Sequence, residues 1–242
     1  MRQGFGPFIP SAGVYFDIEV LWAGGHFPLS QRPAGLMTLE SSLELPEAIA
    51  ALGTARAMRW YRDDPVPAAL IDKVIWAGTR ASSPNNCQPW DFVVVQDPAV
   101  RRRIGDLLRP QAPWPDPPAG TDLTQRRTLE GARNLIAHFG EVPVLIFICG
   151  VNTYPSVDSP DITFMYSAVY AAAQNMVVAA RALGLGCAFT TLHRQAEAPI
   201  RDLLQIPEDR TLAVTMPLGW PARPFGPVTR RPVEEVLHRD RW

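Results

Sequence analysis

The sequence predicts one medium-sized globular domain in which helices and strands alternate. Three observations carry this. The chain has 242 residues, 47% of them hydrophobic and 19% charged, enough to bury roughly 70% of the surface an unfolded chain exposes. From Leu45 onward, apolar residues at helical spacing are interleaved with short β-rich runs. The boundaries carry their own signals: Asp97 before Pro98 reads as an N-cap and a first-turn proline, and Gly184 stands where a long helix would stop.

Taken in order, residues 1–42 hold six Gly and four Pro without periodicity and read as an extension, with Met37 a candidate start. The domain is expected over 43–242. ELPEAIAALGTA places Leu45, Ile49 and Leu52 on one helical face, and PAALIDKVIWAG does the same with Leu70, Val74 and Ala77. FVVV, 92–95, is a strand. The helix opened by Asp97 carries Val100, Ile104, Leu107 and Leu108. Pro110, Pro113, Pro115, Pro117 and Pro118 then forbid a regular helix, so this stretch around Trp114 is expected on the surface. A helix over 122–139, a buried strand PVLIFICG over 143–150 and a long helix over 161–183 follow. CAFTT as a strand, a short helix over 195–205 and the strand TLAVTMPLG complete the domain.

Composition excludes several classes. The net charge of -1 gives no basic footprint for nucleic acid. Three well-separated cysteines, Cys87, Cys149 and Cys187, fit a reducing, cytoplasmic setting better than a secreted one. The uncharged run 162–180 is long enough to span a bilayer, but Thr163, Ser167, Gln174 and Asn175 favour a buried helix, so no membrane partner is expected. His26, His138, His193 and His238 show no metal-ligand spacing, so no metal is expected. Gly184-Leu185-Gly186 follows a helix rather than a strand and fails as a dinucleotide fingerprint. Lys73, the one lysine beside 22 arginines, lacks the glycines of a phosphate loop, and no Gly-x-Ser-x-Gly elbow occurs.

Two segments stand out. Arg56-Ala57-Met58-Arg59-Trp60-Tyr61, followed by DDPVP, sets two arginines three apart at a helix end. If the helix continues they share a face and clamp one anion; alone, they read first as solvated surface residues. Ala81-Ser82-Ser83-Pro84-Asn85-Asn86-Cys87-Gln88-Pro89-Trp90 packs hydroxyls and amides into a loop between helix and strand. Such a loop reads a flat polar ligand edge, or is an ordinary turn.

In this order and spacing, with LGWP, the stretch from Arg230-Arg231-Pro232 and the terminal HRDRW, the chain resembles the nitroreductase family of FMN-dependent oxidoreductases over about 43–242. It departs at Ala57, where the family often has Ser, and at Ser82, where the loop usually has Pro. The resemblance implies an α+β fold with a mixed, mostly antiparallel sheet flanked by helices, paired as a homodimer with FMN at the interface. It implies that Arg56, Arg59 and Arg230 neutralise the phosphate, with Ala57 and Arg231 beside them. Asn86, Ser83 and Gln88 meet the ribityl chain or ring edge, and the backbone amides of Thr190 and Thr191 meet flavin N5 and O4. The TT pair also reads as plain β-propensity.

The implied activity is transfer of two electrons from NADH or NADPH to small aromatic acceptors, nitroaromatic or quinone-type, in a ping-pong cycle. The flavin carries the chemistry, so no catalytic acid or base is nominated. Trp114 is expected either as surface or as a substrate-binding cover over the ring. Alternatives on the same fold are flavin fragmentation and dehalogenation. Residues 105–141 lack the Lys and Tyr of the dehalogenating lid. A flavin-sequestering binding protein is the reading outside enzymes.

Overall fold

The computed structural model describes residues 47–109, 117–118 and 120–242. The expected extension 1–42, with Met37, lies outside the described residues, as does Trp114.

The domain is built on one four-stranded sheet in the order β1-β2-β4-β3. Its strands are β1 (Trp90–Val95), β2 (Val144–Gly150), β3 (Gly186–Cys187) and β4 (Thr211–Gly219). Each of its strand pairings is antiparallel. All seven residues of β2 are buried, because the sheet is covered on both faces. Val144, Ile146 and Ile148 pack with Val214, Met216 and Leu218 against α2 (Ala68–Gly78) and α5 (Ile162–Ala182). Leu145, Phe147 and Cys149 face the other way, toward Ile104 and Leu108 of α3 (Pro98–Leu108) and Ile200 of α6 (Glu197–Leu204). The strand period of two thus divides one apolar run between two cores.

Helix ends follow the sequence signals. The Asp97 carboxylate accepts from the Ala99 and Val100 amides at 2.7 and 3.0 Å, and Asp122 does the same for α4 (Leu123–Ala137) through Thr124 and Gln125. α5 is long and apolar enough to cross a membrane by length and composition. Here it is the core helix of the α2 side: Met165, Val169, Ala172, Met176 and Ala180 are buried against the sheet. It ends at Leu183, followed by Gly184 in the left-handed region at φ 77°.

Two expectations are corrected. CAFTT does not form a continuous strand: β3 stops at Cys187, and only Thr190 returns to pair with Thr215. The helix α1 (Glu47–Thr54) does not run on through Arg56 and Arg59. Beyond it the chain is spliced to the sheet edge. The Met58 amide donates to the Cys187 carbonyl at 2.9 Å and Arg62 to Trp220 at 2.9 Å, while Ala222 donates back to Trp60 at 3.0 Å. Those partners replace intrahelical ones, so the two arginines do not share a helical face.

Close backbone approach is most stringent where α3 meets the 3-10 turn Phe139–Glu141. A Cβ on Gly105 would lie 2.7 Å from the Gly140 backbone nitrogen. Gly105→Ala is therefore expected to cost about 1–3 kcal/mol through overpacking and to lower the melting temperature by about 2–4 °C per kcal/mol. Calorimetry of the two proteins checks this.

Candidate functional site

The Arg56–Tyr61 segment is held by its backbone, which frees its side chains. Asn134 of α4 donates its side-chain amide to the Arg59 carbonyl at 2.8 Å, and the buried Tyr61 hydroxyl donates to Met58 O at 2.6 Å. The Arg59 guanidinium is half-buried and opens on a cavity of about 240 Å³ lined by Trp60, Arg62, Asn134, His138 and Glu141 among others. Neighbouring groups there are paired: Arg62 with Asp64 at 3.1 Å, and His138 hydrogen-bonds Glu141 at 2.9 Å. Arg59 has no carboxylate partner among the described residues. Burial pulls its pKa below the ordinary value; Tyr61 opposes this and Arg56 adds to it. A partly desolvated guanidinium without an ion-pair partner has the chemistry to hold an anion.

Arg56 is exposed and lies beside Gly226. The C-terminal segment docks there through Val228, whose amide donates to Gly53 O at 3.0 Å. Arg230 and Arg231 follow two and three residues on, both exposed; Arg230 donates to Thr229 O at 2.8 Å. The fold thus brings Arg56 and the Arg230-Arg231 arm to the same end of α1. Ala57 is partly buried and contributes no polar atom.

The Ser83–Gln88 loop is shaped by its own bonds. The Ser83 hydroxyl accepts from the Gln88 amide at 3.0 Å, and Asn85, Asn86 and Gln88 have φ of 47°, 54° and 45°. Left-handed asparagine is tolerated, whereas left-handed Gln is uncommon and costs backbone strain. Asn86 and Gln88 are exposed. This loop joins the sheet where Trp90 pairs with Gly150, and Val151 donates to Pro89 O at 2.9 Å. The arginine segment joins at the other end, where Tyr61 bridges Pro221 beside Gly219, past the Val144–Leu218 pair. These anchors are six residues apart along β2 (144 to 150), about 20 Å. The two segments that stand out in the sequence are therefore tethered to opposite ends of the sheet of one chain.

The Thr190–Thr191 turn lies between these ends. Thr190 exchanges both backbone hydrogen bonds with Thr215, at 3.0 and 2.9 Å, and its hydroxyl donates to Thr215 O at 2.8 Å. Thr191 is exposed. An aromatic row adjoins the turn: Tyr166 to Tyr170 at 5.3 Å and Tyr170 to Phe189 at 5.2 Å between ring centroids.

Comparison with known proteins decides the family. Residues 53–220 match the nitroreductase family. The chain belongs to it. It is 29% identical over 219 residues to an NADH dehydrogenase of Thermus thermophilus, covering 82% of this chain and 98% of that one. It is 28% identical over 197 residues to iodotyrosine deiodinase 1 of Rattus norvegicus, covering 76% and 65%. A crystal structure of a nitroreductase with bound FMN from Bacteroides fragilis superposes with a TM-score of 0.56 at 19% identity, covering 74% and 90%.

Within this nitroreductase fold, motif reading passed over His193 and Thr215. They are the buried polar side chains among the described residues, and they meet each other: His193 Nδ1 lies 2.8 Å from Thr215 Oγ1. A lone histidine without metal-ligand spacing gives no sequence signal for this. Only the return of Thr190 to Thr215 brings His193 beneath the strand.

Burial lowers the His193 pKa to about 4; the Leu212 backbone opposes this and Arg194 adds to it. The folded value lies below the ordinary 6.5, so the unfolded chain takes the proton more readily. The contribution is present above pH 6.5 and is lost as pH falls toward 4, about 3 kcal/mol in all. In urea unfolding at pH 7 and pH 4, His193→Gln is expected to lose less stability between the two than the parent protein. An equal loss would show that His193 is not the titrating group.

Proposed function

We propose that this nitroreductase-family chain is an FMN-dependent oxidoreductase passing two electrons from NADH or NADPH to nitroaromatic or quinone-type acceptors by a ping-pong mechanism. The observation that carries the reading is Arg59, a half-buried guanidinium without a carboxylate, facing a cavity inside the family's matched region. When bound, FMN supplies the two-electron carrier between nicotinamide and acceptor.

The residues fit that group. Arg59, with Arg56, Arg230 and Arg231 as an exposed second set, neutralises the phosphate through charge-assisted hydrogen bonds. Ala57 leaves room without adding a donor. Ser83, Asn86 and Gln88 offer amides and a hydroxyl to the ribityl chain or ring edge, and the Thr190–Thr191 turn offers backbone donors. Trp114 is proposed as the substrate-binding cover that selects flat acceptors.

We assign the site to a homodimer. The 240 Å³ cavity is smaller than the roughly 300–1,000 Å³ that encloses a whole ligand, and the two binding segments are anchored about 20 Å apart. A second copy supplies the missing wall. Ile49 and Leu52 of α1, Phe164 and Tyr170 of α5, and Val236 and Leu237 near the C-terminus are exposed large apolar residues that such a copy would cover. The cytoplasm is the proposed location.

A second reading is reductive dehalogenation, favoured by the similarity to the rat deiodinase. Anaerobic turnover with iodotyrosine, run beside nitroaromatic and quinone acceptors, separates the two.

Purified protein is expected to show flavin absorption, to release FMN rather than FAD, and to bleach on anaerobic titration with NADH or NADPH. Colourless protein that FMN does not reconstitute ends this reading. Flavin that stays yellow with both nicotinamides makes the chain a flavin-sequestering binder. Arg59→Ala is expected to weaken FMN about tenfold or more, from a loss of about 1.5–3 kcal/mol; equilibrium dialysis measures it. Light scattering at low micromolar concentration is expected to give twice the 26.7 kDa chain mass. A folded monomer retaining FMN contradicts the shared site.

A further inference from the structure

We propose that His193 is a positioning residue: through Thr215 it fixes the Thr190–Thr191 turn, so that the Thr191 amide is presented in one orientation to the flavin. The proposal rests on the FMN reading above, and it assigns a role to a side chain that no motif marks.

The fastening is a closed ring of bonds. Thr190 is locked to Thr215 by two backbone hydrogen bonds and by its own hydroxyl. Three residues later the chain returns beneath the same strand, and His193 reaches Thr215 Oγ1 at 2.8 Å. The stretch from Thr190 to His193 is thus pinned at both ends to one residue of β4. Between the pins, Thr191 is exposed. Its carbonyl accepts from the Arg194 amide at 3.0 Å, and no acceptor among the described residues takes its own N–H. An exposed, unpaired N–H on a turn fastened at both ends is preorganised, so orienting it costs little when a ligand arrives.

The pair has the features of a fitted device rather than a tolerated defect. Both side chains are buried, at 1% and 0% exposure. They lie opposite Phe147 on the α3 and α6 side, where the neighbouring core side chains are apolar. A hydroxyl and an imidazole there are costly unless bonded to each other. His193 Nε2 makes no hydrogen bond of good geometry, although the Leu212 backbone acts on the ring, so the well-formed side-chain bond of the ring is the one to Thr215. Burial keeps the imidazole neutral across the working pH range, so the fastening does not switch on or off with physiological acidity.

The test uses the full-length protein with His193→Leu and Thr215→Val, which remove the bond, and His193→Gln and Thr215→Ser, which keep a polar partner. Oxidised and reduced FMN are titrated into each, and Thr191 amide exchange is followed by NMR without ligand. The bond-removing pair is expected to speed Thr191 exchange. It is also expected to lower the ratio of reduced to oxidised FMN affinity about tenfold, because a fixed donor gains more from the electron-rich reduced ring; that is about 30 mV for a two-electron couple. The polar-retaining pair restores most of the ratio and carries the test if the first pair does not fold. Parent protein that binds no FMN overturns the flavin reading and this role with it. Parent protein that binds FMN, with variants showing the parent ratio and exchange but a lower melting temperature, overturns only the positioning role and leaves His193 a core residue.

Discussion

Burial of β2 on both faces is the constraint from which the rest of the structure follows. A strand with apolar side chains pointing both ways must be sandwiched. Its neighbour β4 is nearly as buried, and helices close both sides. Polar recognition is thereby expelled from the sheet faces to its ends and its β3 edge. The arginine segment, the Ser83–Gln88 loop and the Thr190 turn all sit where a strand begins, ends or breaks off. That placement is a consequence of packing before it is a feature of binding.

The same constraint explains why the two segments that stand out in the sequence lie apart on one chain. The loop before β1 and the segment beside β3 are fixed by opposite ends of strands about 20 Å long. No rearrangement short of breaking the ladder brings these anchors together. A ligand that needed both anchors would have to span about 20 Å along the sheet of one chain.

Legibility in the sequence tracked how local the determining interactions are. The Asp97-Pro98 start of α3, the Asp122 start of α4 and the apolar run of β2 were readable, because each is decided within a few residues. The course of Arg56–Tyr61 was not: Cys187, Trp220 and Ala222, more than a hundred residues away, capture its backbone and stop the helix. CAFTT failed for a related reason. Its strand-forming residues promised a full strand, but Ala188 and Phe189 leave the ladder so that Thr190 re-enters opposite Thr215. His193 was the least legible, since its role depends on that re-entry. The resemblance to a family located the candidate segments but not their separation on one chain.

Arginine rather than lysine at position 59 is a choice that burial makes. A lysine ammonium withdrawn from water without a carboxylate sheds its proton readily, because its pKa starts near 10.4 and desolvation lowers it. A guanidinium starts far higher and is less strongly hydrated, so it remains charged in the same place. Here burial lowers the Arg59 value, and burial, with Cys187 adding and Arg59 opposing, raises the Tyr61 value well above the ordinary one, so Tyr61 provides no anion to pair with it. Arg59 therefore stays charged at the cavity without a carboxylate in ion-pair contact among the described residues, although Asp63 lines the same cavity. Of the nearby acids, Asp64 pairs with Arg62 and Glu141 hydrogen-bonds His138, while Asp63 makes no ion pair to Arg59. A partly buried charge without an ion-pair partner costs stability in the isolated chain, and a bound anion would offset that cost.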